Sequence, residues 1–263
     1  EFFLWEFPFA YWLEANGYDV TYISNLDTHA DPGGLQRARG FLSVGHDEYY
    51  TLEMYQHLRS AIDRGLSVGF FSGNTCCGRI GFKRSRSGTD NRVFTRLDYF
   101  GPRDEGMIKR FPSMGAFSHT SPHESLLMGA RNVPPCTGGA DWACSAPDHW
   151  LFDGTGMKRG DSIPGLVGWE FHGDPANIPG LVVVSTGPTQ DAPGKLNGGT
   201  YTATVYPGRA GNVVFNASSC WWGDGLSAPP GYVRPSVYTT PHGPDARVQR
   251  ITRNILERMR GRT

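Results

Sequence analysis

The stretch GFLSVGHDEYYT (40–51), LEMYQHLRSAIDRG (52–65) and LSVGFFSGNTCCG (66–78) decides how this chain is read. Two short apolar runs flank a segment with apolar residues at Met54, Leu58, Ala61 and Ile62, which is helical spacing. The pattern predicts a βαβ unit whose helix stops at Gly65. Each apolar run ends in polar, chemically able residues: His46, Asp47, Glu48 and Tyr49 after the first, Asn74, Cys76 and Cys77 after the second. In open parallel sheets ligands bind beyond the carboxyl ends of strands, so a site is expected there.

Upstream, residues 6–16 carry Pro8 in the first turn, apolar Phe9, Trp12 and Leu13, and Gly17 beyond the end, predicting a helix. YDVTYIS (18–24) reads as a strand. Downstream, residues 79–148 are polar and weakly patterned, an elaboration containing one β-like run, VFTRLDYF (93–100). Regular strands return in LVGWEF (166–171), GLVVVST (180–186), TYTATVYP (200–207) and GNVVFNAS (211–218), expected as antiparallel additions to a sheet edge. Val248, Ile251, Ile255 and Met259 give a closing amphipathic helix. One domain over 1–263 is expected. The opening EFFLWEFPFAYWLEANG has neither an initiator Met nor a signal-peptide pattern, so the chain reads as N-terminally truncated.

The 263 residues carry a formal net charge of zero with 19% charged residues, which gives no field for nucleic acid or an anionic membrane. No apolar run approaches the roughly 18 residues of a membrane helix. Five cysteines do not make a disulfide framework; Cys136 and Cys144 could close a small ring, and no paired His/Cys spacing supports zinc.

GHDEYY packs an imidazole, two carboxylates and two phenols into five residues after the glycine, more than the capping of the next helix by Asp47 or Glu48 would require. FFSGNTCCG invites comparison with a nucleophile turn in which Cys76 or Cys77 is activated by His46, although no clean G-x-C-x-G is present. The other reading of Cys76 is a small buried thiol beside a tight turn. His123 and Glu124 stand together in PHES ahead of an apolar run. Glu170 lies inside an apolar strand, where an acid must be paired, protonated or metal-bound unless that strand is an edge facing water.

PFAYWLEANGYDVTYISNLD (8–27), FLSVGHDEYYT (41–51), GLSVGFFSGNTC (65–76), SPHESLLMG (121–129), HWLFDGTGMKRGDSIPGLVGWE (149–170), GNVVFNASSCWWGDGL (211–226) and VQRITRNIL (248–256) occur in this order. With these segments the chain resembles the C-terminal domain of the N,N-dimethylformamidase large subunit over nearly its whole length. The resemblance implies an α/β, flavodoxin-like three-layer sandwich similar to class I glutamine amidotransferases, with a mostly parallel central sheet. It also implies a ferric iron held by two tyrosines and one glutamate, in an amidohydrolase that splits N,N-dimethylformamide into formate and dimethylamine.

Carried over by motif, Tyr49 and Glu124 are the expected metal ligands and Glu170 the acid or base beside the metal, with His46 or His123 orienting the carbonyl or a ligand. The second phenolate position falls on the first helix, at Tyr11, unless Phe7 or Phe9 occupies it and the ligand is lost. Asn74 and Cys76 would line the substrate pocket. Cys77 and Gly78 stand where relatives carry bulky aromatics, which implies a wider pocket. The expected partners are a small amide substrate, with a small accompanying subunit and a homo-oligomer also compatible; nucleic acid and membrane are not expected. The competing reading is a non-catalytic glutamine-amidotransferase-like domain that binds a ligand or partner. Metal content separates the two.

Overall fold

The computed structural model describes residues 2–101, 121–234 and 242–261. Part of the 79–148 elaboration therefore lies outside the described residues. Helices α1 (Phe2–Trp5), α2 (Phe7–Ala15) and α3 (Asn25–Ala30) lead into β1 (Gly40–His46), β2 (Tyr49–Tyr50), α4 (Leu52–Asp63) and β3 (Ser67–Gly73). β4 (Gly78–Lys83), β5 (Val93–Tyr99), α5 (Ser125–Met128), β6 (Ala140–Ala143) and β7 (Ser162–Val167) follow. The chain continues through β8 (Val182–Ala192), β9 (Lys195–Pro207), β10 (Val213–Asn216) and α6 (Ala246–Met259).

Five strands form one sheet in the order β1-β3-β10-β9-β8; β2-β4-β5 and β6-β7 form two smaller sheets. β1 and β10 both pair parallel with β3, whereas β10 with β9 and β9 with β8 are antiparallel. The expected flavodoxin-like, class I glutamine amidotransferase-like sandwich with a mostly parallel sheet is thus not the fold. The described residues form a mixed α/β structure with six α-helices and mostly antiparallel strand pairings over three sheets. The reason is in the connections. Only α4 serves as a helical crossover between neighbouring strands of the large sheet. β8 returns into β9 through residues 193–194, with Gly194 at φ 77°, and so short a turn permits only an antiparallel partner. After β3 the chain turns into β4 of another sheet rather than into a helix.

All seven residues of β3 are buried, which explains an apolar run without alternation. Val68 and Phe70 pack with Met54, Leu58 and Ile62 of α4, while Phe71 packs with Phe9 of α2, Trp222 and Ile251 of α6. YDVTYIS forms no strand: Tyr22 and Ile23 are exposed, and Ser24 accepts the Asp27 N–H to start α3. The β-rich composition of that run met no partner strand, and the cap behind it took over. None of the five cysteines forms a disulfide, so the ring expected between Cys136 and Cys144 is not closed.

Candidate active site

The carboxyl ends of β1 and β3 carry the densest cluster of ionisable groups. Thr51, not Asp47 or Glu48, caps α4: its Oγ1 accepts the Met54 N–H at 3.1 Å, which leaves both carboxylates to other work. His46 ends β1, and its Nε2 lies 2.5 Å from Glu170 Oε2 and 3.6 Å from Glu48 Oε2. Arg96 Nη2 stands 3.5 Å from Glu48 Oε1 and its guanidinium lies over the rings of Tyr49 and Tyr99, at 5.3 and 4.8 Å.

Glu170 reaches His46 because β7 breaks at Gly168, where φ is 146°, and the following residues bend across the end of β3. Gly73 makes that crossing feasible: a side chain there would run into the Glu170 carbonyl and Cys220. A wall of indoles stands beside the pair. Trp5 packs 5.9 Å from the His46 ring, 5.9 Å from Trp169 and 4.9 Å from Trp221, measured between ring centres.

Burial opposes charge on His46, but the close approach and negative charge of Glu170, with Glu48 and Asp47 behind it, outweigh burial and raise its pKa. Glu48 is raised by burial and by repulsion from Glu170, against the pull of the Tyr49 hydrogen bond, His46 and Arg96. The arrangement therefore favours an imidazolium between two carboxyl groups, one of which holds its proton more readily than usual. Asp47 is raised by burial, although Tyr50, Ser43 and Asn25 donate to it.

The remaining predicted residues fall in different places. Tyr49 borders the cluster and hydrogen-bonds Glu48; burial and the Glu48 charge raise its pKa. Glu124 is buried and accepts the Asn132 N–H at 3.0 Å, with Arg131 Nε at 3.9 Å. The Cys76–Cys77 turn lies within electrostatic reach of Glu124 as well as of Asp47, Glu48 and Glu170. His123 serves the start of α5, its Nδ1 lying 2.6 Å from Ser125 Oγ, and burial lowers its pKa. Asn74 is buried in the left-handed region at φ 51°, and among the described residues its Oδ1 meets no donor.

Cys76 is fully buried, and burial with the Glu124 charge pushes its thiol well up, against the thiolate that a nucleophile needs. It is a wall of the turn. An apolar cleft of about 310 Å³ takes Tyr49 as one wall with Leu26, Ile80, Phe82 and Phe94, and includes neither His46 nor Glu170. It marks the outer border of the site, not the reacting groups.

The expected iron ligands lie on three different elements: Tyr49 in β2, Glu124 at the start of α5 and Tyr11 on α2. Tyr11 is 44% exposed on α2 with its ring against Phe7, and Glu124 is engaged by Asn132 and Arg131. Arg96 and Tyr99 are site residues that local patterns did not single out, and they acquire meaning only through their tertiary neighbours Glu48 and Tyr49. Glu48 stood in view within GHDEYY.

No curated protein matches the chain. A family model described as N,N-dimethylformamidase beta subunit-like, C-terminal, matches residues 1–236. The quoted segments GHDEYY, GNTCC and VGWE, which supply His46, Glu48, Asn74 and Glu170, all lie inside that match. The chain therefore belongs to the N,N-dimethylformamidase beta subunit-like, C-terminal family, a setting consistent with an amidohydrolase.

Proposed function

We propose that the His46–Glu170 pair, with Glu48 beside it, is the reaction centre of an amidohydrolase that cleaves a small amide such as N,N-dimethylformamide to a carboxylate and an amine. The observation that carries this reading is the 2.5 Å contact between His46 Nε2 and Glu170 Oε2 at the end of two parallel strands. A partly exposed imidazolium holding a nearly buried carboxylate is costly to build for stability alone.

Glu170 accepts a proton from a water, whose oxygen adds to the amide carbonyl carbon. The tetrahedral species collapses as its nitrogen takes a proton and the C–N bond breaks. Glu48, with its raised pKa, is placed to supply that proton, and Glu170 retains the one taken from water until the site resets. The acid product ionises, so the net products are carboxylate and ammonium. His46 orients Glu170 through their close contact. Asn74 Oδ1, a buried acceptor that meets no donor among the described residues, is available to the attacking water, since N,N-dimethylformamide has no N–H to offer it. The indoles of Trp5, Trp169 and Trp221 give the apolar surface that alkyl groups on nitrogen require.

Release of dimethylamine from N,N-dimethylformamide, and of the matching amine from close analogues, tests this reading. Glu170→Gln is expected to lower kcat by about 10² or more with the melting temperature kept, the loss typical of a removed general base. Undiminished turnover in that variant contradicts the assignment.

A further inference from the structure

The turn after β3 is held in a conformation that its residues do not favour. Asn74 and Cys76 both sit in the left-handed region, at φ 51° and 54°, which side chains adopt only where their surroundings fix them. Thr75, between them, is the point of fixation. Its N–H donates to His172 Nε2 at 3.0 Å, its Oγ1 lies 2.6 Å from Ser72 Oγ, and its carbonyl accepts Asn132 Nδ2 at 2.9 Å.

His172 has no exposed surface, and its hydrogen bonds specify one tautomer. Nε2 accepts from Thr75, so Nδ1 carries the hydrogen and donates to Asn216 Oδ1 at 2.7 Å. The backbone on either side is fixed as well. The His172 N–H donates to Ser218 Oγ, and the His172 carbonyl accepts from Ser218 Oγ and from the Thr202 N–H. From Thr75 the chain of contacts continues through Ser72 Oγ to Ser43 Oγ at 2.9 Å and on to Asp47 Oδ2 at 2.8 Å. It thus runs from Asp47, the neighbour of His46, to His172, two residues beyond Glu170.

We propose that His172 is a positioning residue: by accepting the Thr75 N–H it locks the 74–77 turn and sets the segment carrying Glu170 in register with the end of β1 that carries His46. The catalytic part of this claim rests on the amidohydrolase reading, and the lock itself does not. An ordinary buried histidine would need a partner for each nitrogen. It would not need one of them to be the amide between two left-handed residues, nor the chain to end beside both members of the ion pair.

The test compares wild type with His172→Phe, which keeps a ring but removes the acceptor, and His172→Gln, which returns an acceptor near the Nε2 position. Alkylation of the folded protein is followed cysteine by cysteine by mass spectrometry. Cys76 and Cys77 are expected to react severalfold faster in His172→Phe and to return towards wild type in His172→Gln, while Cys144, remote from the turn and from the Glu170 segment, stays unchanged. Amide turnover is expected to lose up to about a hundredfold in kcat with KM nearly constant, again recovered in part by Gln, as a misplaced catalytic group predicts. Unchanged Cys76 and Cys77, or equal acceleration at Cys144, overturns the lock. Absence of amide turnover in wild type overturns the amidohydrolase reading, while the thiol rates still decide the lock. Nitrogen NMR of wild-type His172 needs no variant: the Nδ1–H tautomer is expected, and the Nε2–H tautomer overturns the proposal.

Discussion

At the scale of residues, the chain holds two histidines that respond to pH in opposite senses. Burial, the larger effect, keeps His172 neutral and lowers its pKa to about 4, against the Asn216 hydrogen bond. The unfolded chain takes up that proton first, so stability falls as pH drops from the ordinary value of 6.5 towards about 4. His46 has its pKa raised by Glu170, Glu48 and Asp47 in spite of burial. Its contribution is complete below 6.5 and is lost as pH rises through the higher folded value. Melting temperatures across pH are expected to show the His46→Gln deficit at pH 6 and its shrinkage in alkali; a deficit that grows in alkali contradicts the ion pair.

Tyr11 supplies a further check at this scale. Exposed on α2, it should be replaceable by Phe with no change in turnover, whereas loss of turnover in Tyr11→Phe would mean that the site extends to it.

At the scale of elements, local chemistry decided what could be read in advance. α4 was legible because a 3.6-residue period and a terminal glycine agree, while its cap, Thr51, was not read in advance. Thr51→Ala should cost about 1–2 kcal/mol, since it removes the acceptor for the Met54 N–H and the partner of His29 Nδ1. Denaturant midpoints check this, and Thr51→Ser should recover most of it. YDVTYIS was illegible for the opposite reason: strand propensity without a pairing strand builds nothing. Glu170 drew attention as an acid among apolar residues, and the element around it turned out to be a bend that delivers the acid to His46. His172 gave no such signal, because a buried histidine and an exposed one look alike in WEFHG.

At the scale of the whole molecule, one βαβ unit was correctly placed, and its parallel logic was extended too far. The β8–β9 hairpin and the departure of the chain from β3 into a second sheet prevent a doubly wound sheet, yet the β1 and β3 ends still meet side by side. The site's position survives the change of fold because it needs only that pair of strands and the Gly168 bend.

A second device ties the molecule together near the indole wall. Arg234 donates to Asp224 Oδ2 at 2.8 Å, with both side chains buried and the guanidinium 4.6 Å from the Trp221 ring. Asp224→Ala should cost about 3–5 kcal/mol, because it strands the Arg234 charge in the interior. A denaturant midpoint unmoved by that change would show the pair to be solvated.

The central claim is that His46 and Glu170 act as one unit in amide cleavage, and a double-mutant cycle on kcat tests it most directly. His46→Gln, Glu170→Gln and the double variant are assayed for amine release. The double variant is expected to be no slower than Glu170→Gln alone, since His46 works through Glu170. Losses that multiply would show two independent groups and contradict it.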